Sequence, residues 1–95
     1  MNVLELLAKV SENYRNEPAV RGVLSVAEEA GEFVGAFRRN VGLARRSGTR
    51  EEVEDELADV VIAAWAAGTS LGIDMEAVIT RKAEVVLGRI ERGER

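Results

Sequence analysis

The stretch Val60-Val-Ile-Ala-Ala-Trp65-Ala-Ala67 is apolar without interruption. It lies in a longer segment with no strand-like alternation, so it reads as helix. A helix that is apolar on every side must be buried on every side. Four short helices from one 95-residue chain struggle to surround it. The chain is therefore expected to be an all-α helical bundle of four helices, completed by homo-oligomerisation, with the third helix near the subunit contact.

Periodicity and caps place the helices. The first is predicted over about Asn2 to Tyr14, with Val3, Leu4, Leu7 and Ala8 apolar on one side. Pro18 suits a first helical turn, and the second helix is predicted from there to about Arg39. Its apolar positions fall in two strips, Val23-Val26-Ala30-Phe33-Phe37 and Val20-Leu24-Ala27-Val34. Gly31 and Gly35 lie beside the second strip and are expected to admit a neighbouring helix, because an interior helical glycine costs roughly 1 kcal/mol against alanine. Thr49-Arg-Glu-Glu52 forms a capping box for a third helix ending near Leu71. Gly72 then stops that helix, and Asp74 caps a fourth over about Met75 to Arg92. The whole chain, 1–95, reads as one domain.

Two carboxylate pairs stand within these apolar helices. Glu29 and Glu32 are three residues apart, as are Glu56 and Asp59, which puts each pair on nearly one helical face. With each residue rotated by about 100°, Val53, Val60, Ala63 and Ala67 fall close to Glu56. Glu29 falls between Glu32 and the Val26/Phe33 strip. Both Glu29 and Glu56 are thus expected to be drawn partly inward. Ionised carboxylates so placed are costly and repel one another, and a divalent cation relieves both costs. Acidic residues at this spacing also occur on solvated helix faces.

The composition limits the chemistry. There is no cysteine, hence no disulfide and no thiolate site, which fits a reducing cytoplasm. There is no histidine, hence no imidazole base and no Glu-x-x-His di-iron motif. A bound metal must take oxygen ligands, which favours Mg²⁺, Mn²⁺ or Ca²⁺. The net charge of −4 argues against binding a nucleic-acid polymer. The run Val60–Ala67 is far too short to span a membrane.

Glu28-Glu29-Ala-Gly-Glu32, then 23 residues, then Glu56-Leu-Ala-Asp59, resembles the E-E-x-x-E … E-x-x-D pattern of MazG-like nucleotide pyrophosphohydrolases. These are all-α enzymes related to dimeric dUTPases and dCTP pyrophosphatases. The resemblance covers roughly Val20 to Arg92. It implies Mg²⁺-dependent hydrolysis of a nucleoside triphosphate to the monophosphate and pyrophosphate, with Mn²⁺ as a substitute ion. It implies a homodimer or a homotetramer made of two dimers, in the cytoplasm. By position, Glu29, Glu32, Glu56 and Asp59 would bind metal, and Glu28 would orient or deprotonate the attacking water. Lys82 and Arg89 match two cationic positions of the family's last helix and would bind the triphosphate. The family's asparagine between them is Val86 here. The same residues also admit a non-catalytic helical module that binds nucleotide or metal, or serves oligomerisation. A Ca²⁺ or metal-storage bundle fits less well, since there is no EF-hand loop and no histidine.

Overall fold

Four helices account for most of the chain in the computed structural model, which describes residues 1–94. They are α1 (Val3–Glu12), α2 (Ala19–Asn40), α3 (Arg50–Ser70) and α4 (Met75–Glu91). There is no strand among the described residues. Each boundary lies within two residues of its sequence expectation.

Local chemistry explains where the helices start. Asn2 Oδ1 accepts from the Glu5 amide at 2.9 Å, Thr49 Oγ1 from Glu52 at 3.1 Å, and Asp74 Oδ1 from Ala77 at 3.1 Å. Each bond satisfies an amide that has no partner within its helix. The Thr49 cap is one-sided, because no return bond from Glu52 to the Thr49 amide forms. Pro18 precedes α2, and only its carbonyl serves the helix, accepting from Arg21 and Gly22.

Glycine ends α2 and α3. Gly42 at φ +81° lets Leu43 donate to the Arg38 carbonyl, and Gly72 at φ +73° lets Ile73 donate to Gly68, both at 2.8 Å. These left-handed positions suit glycine and satisfy last-turn carbonyls.

α2 and α3 form an antiparallel hairpin and the main packing unit. Gly22 faces Ala67 near one end, and Glu32 meets Glu56 further along. Gly22 is the interior glycine that closeness requires, since a Cβ there would stand 3.3 Å from Ala67 Cα. α1 lies against α3, and Ser70 Oγ donates to the Tyr14 carbonyl at 2.7 Å. The chain then turns through 116° into α4, which meets only α3 to any extent and buries none of its residues.

One of the packing expectations changes. Gly31 and Gly35 admit no helix of the same chain: a Cβ on Gly31 would touch nothing within 4 Å, and one on Gly35 only Arg39. The apolar run of α3 is fully buried only over its last part, from Trp65 onward, while Val61 stays 48% exposed. One chain supplies too few helices to cover it. The buried apolar core is small: Leu7, Ala36, Val53, Trp65, Ala66 and Ala67. Val20, Leu24 and Val34 on α2, and Ile79, Leu87 and Ile90 on α4, remain open. No single helix is long and apolar enough to cross a membrane.

Candidate active site

The α2–α3 hairpin sets two acidic segments side by side. One carboxylate oxygen each from Glu29, Glu32 and Glu56 lies within 4.8 Å of the others. Three oxygens at that separation form a compact hard-donor set, suited to a divalent cation that retains other ligands.

Burial divides the group as helical projection anticipates. Glu29 and Glu56 are half-buried, while Glu32 and Asp59 are exposed. Oε2 of Glu29 and Oε2 of Glu56 are shielded from solvent and lack any hydrogen-bond partner. Buried polar atoms are nearly always paired, so two orphaned oxygens in one acidic cluster are a strong local demand for a proton or a cation.

The electrostatics agree. Desolvation is the largest effect pushing the Glu29 carboxyl above its usual range, followed by the charges of Glu32 and Asp59, the closeness of the Glu32 carboxyl and the charge of Glu56. Glu56 is raised by desolvation, then by the charges of Glu32 and Asp59 and the closeness of the Glu32 carboxyl, while the charge of Arg39 opposes the shift. Without a metal, a shared proton relieves the repulsion. Asp59 therefore borders the triad closely enough to act on it, though it is outside the three-oxygen set.

An open groove of about 490 Å³ runs beside the triad. Its lining includes Glu28, Glu32 and Glu56, together with Gly31, Gly35 and Arg39. Glu28 thus faces the groove, whereas its neighbour Glu29 turns toward α3. The adjacent glutamates are separated into one inward group and one group accessible to a ligand.

Lys82 and Arg89 are not brought to this groove within one chain. Both are exposed on α4, which packs on α3 and makes no substantial contact with α2. The cation that does line the groove is Arg39, which sequence reasoning passed over as the end of the second helix. A signal existed: Arg39 stands seven residues after Glu32, two helical turns along the same face. Trp65 is a core residue, and Tyr14 lies in the turn after α1 with 43% exposure.

A model of the phosphoribosyl-ATP pyrophosphohydrolase family matches residues 5–84. The matched span holds all five acidic residues and Lys82, and it stops before Arg89. No curated protein and no solved structure matches the chain significantly. By that match over most of its length, the chain belongs to the phosphoribosyl-ATP pyrophosphohydrolase family, a MazG-like group of all-α pyrophosphohydrolases.

Proposed function

We propose that the protein is a Mg²⁺-dependent pyrophosphohydrolase that cleaves a nucleoside triphosphate to the monophosphate and pyrophosphate. Phosphoribosyl-ATP, named by the family, and the ordinary and noncanonical NTPs and dNTPs share the triphosphate this reading requires. The observation that carries it is the pair of orphaned, solvent-shielded oxygens on Glu29 and Glu56, set with Glu32 in a three-oxygen cluster.

Glu29, Glu32 and Glu56 hold the ion, with Asp59 adding charge at its border. Mn²⁺ suits the same oxygens. When bound, the ion neutralises the cluster and the charge on phosphate oxygens. Glu28, on the groove side, orients the attacking water and takes its proton. The water oxygen bonds to phosphorus, the anhydride between the α and β phosphates breaks, and pyrophosphate leaves with the bonding electron pair. Such chemistry depends mainly on positioning and charge compensation, so five carboxylates on two rigid helices suffice without histidine.

The open apolar rows of α2 and α4 support self-association, as a homodimer or a dimer of dimers. Lys82 and Arg89 act on the triphosphate in an assembly that brings an α4 over the groove. The reading places the enzyme in the cytoplasmic nucleotide pool. A panel of phosphoribosyl-ATP, NTPs and dNTPs, assayed for pyrophosphate with and without Mg²⁺, tests the activity. Release from at least one member, dependent on Mg²⁺, supports the reading. No release across the panel overturns it, and thermal stabilisation by Mg²⁺ and nucleotide without turnover then marks a binding module.

A further inference from the structure

Arg39 is half-buried in the groove with Glu28, Glu32 and Glu56, yet it is paired with none of them. The ion pairs among the described residues are Arg15–Glu12, Arg21–Glu17, Arg50–Glu54 and Arg92–Glu94. The contrast with its neighbour is direct. Arg38 donates to the Leu43 carbonyl at 3.1 Å and fastens the turn after α2, whereas the Arg39 side chain makes no such bond. A guanidinium has five N–H donors and pays a desolvation cost when they lack acceptors. Opposite charges that line one groove without meeting suit a ligand that carries both signs.

The groove wall next to Arg39 is bare backbone. Neither Gly31 nor Gly35 has a positive φ, so neither is required by the helix conformation. Interior glycine is unfavourable in a helix. No close approach within the chain demands Gly31, since a Cβ there meets nothing within 4 Å. A Cβ on Gly35 would stand 3.4 Å from Arg39 Nη1, so the glycine leaves the guanidinium room to lie along α2. The missing side chains keep this wall open where the charged groups converge.

We infer that Arg39, together with the bare wall at Gly31 and Gly35, binds the phosphates of the substrate's triphosphate beside the carboxylate-held cation. This deepens the proposed pyrophosphohydrolase site, on which it rests. The carboxylates take the positive half of a cation–triphosphate ligand, and Arg39 takes the negative half. The planar guanidinium matches the paired oxygens of a phosphate, which an ammonium reproduces only as a point charge. On this account one chain already carries a phosphate-binding cation, independent of α4.

Inorganic tripolyphosphate isolates this subsite from base and sugar. Its binding with Mg²⁺ is measured by calorimetry on the wild type, Arg39→Ala, Arg39→Lys and Gly31→Leu. Mn²⁺ alone is titrated in parallel by electron paramagnetic resonance. Arg39→Ala is expected to weaken tripolyphosphate roughly 10- to 100-fold while leaving Mn²⁺ affinity undiminished. Arg39→Lys is expected to recover part of that loss, and Gly31→Leu to reproduce it by filling the groove. Wild-type tripolyphosphate affinity in Arg39→Ala overturns the inference, as does an equal loss of Mn²⁺ affinity, which would make Arg39 part of the metal site's architecture. Should Arg39→Ala fail to fold, Arg39→Lys and Gly31→Leu decide by the same comparison. Absence of wild-type turnover on the nucleotide panel refutes the proposed activity and leaves this binding comparison to be judged on its own.

Discussion

Replacing Gly31 by alanine separates stability from function at one position. In an exposed helix interior, alanine is favoured over glycine by about 0.8–1.0 kcal/mol. At Gly31 nothing offsets that gain, because the new Cβ has no neighbour within 4 Å and the backbone has no positive φ. The full preference should therefore appear, raising Tm by roughly 4–8 °C in a domain of this size. Gly68→Ala is the control with the opposite sign. There the Cβ would run into the Met75 side chain, and overpacking of this kind costs about 1–3 kcal/mol. Thermal melts of metal-free protein at several concentrations, followed by circular dichroism, measure both. The same Gly31→Ala protein should show a raised KM for its triphosphate substrate, since the methyl group enters the groove. A fall in Tm on Gly31→Ala would refute the reasoning, for it would show that the Gly31 wall is packed against another surface in solution.

Other outcomes follow from single groups. The raised carboxyls of Glu29 and Glu56 make the metal-free fold bind protons that the unfolded chain has already lost. Stability from these groups is complete below the unfolded glutamate value and is lost as pH rises through their higher folded values. Metal-free Tm should therefore climb as pH falls from neutrality toward the ordinary glutamate range, and saturating Mg²⁺ should abolish that climb; a metal-free Tm falling over this range contradicts the assignment. Ser11 is 1% exposed and its Oγ has no partner, so Ser11→Ala should stabilise by about 1 kcal/mol in denaturant titrations. Thr49→Ala removes the cap on α3 and should cost about 1 kcal/mol in the same assay.

Local signals in the sequence were the most legible. The caps at Thr49 and Asp74 are short-range chemistry, and so is the stop at Gly72. Helical projection alone separated Glu29 and Glu56, drawn inward, from exposed Glu32 and Asp59, because the direction of a side chain on a helix depends on rotation per residue. Tertiary relations were less legible. Gly22 and Gly31 are both interior helical glycines, yet only Gly22 receives a neighbour, and nothing local distinguishes them. Lys82 and Arg89 have the family's spacing, but spacing along α4 does not determine where α4 goes after a 116° turn. Arg39 was missed for a related reason. It looks like a helix-terminal charge, and although its spacing puts it on the Glu32 face, only the open groove shows that this face lines a site. The all-round apolar run of α3 was read as a need for partners, and exposed Val61, with Val20, Leu24 and Val34 on α2, shows how much one chain leaves uncovered.

The central claim is that Glu56, with Glu29 and Glu32, holds the divalent ion on which pyrophosphate release depends. Glu56→Gln keeps the size of the side chain and removes its charge, so it tests the claim with little disturbance of packing. Pyrophosphate release from the preferred triphosphate, measured against Mg²⁺ concentration, is the direct measurement, with Mn²⁺ binding recorded on the same protein. The account predicts weaker ion binding and a loss of turnover of about 100-fold or more, with the fold retained. Full turnover with an unchanged Mg²⁺ dependence in Glu56→Gln would contradict it.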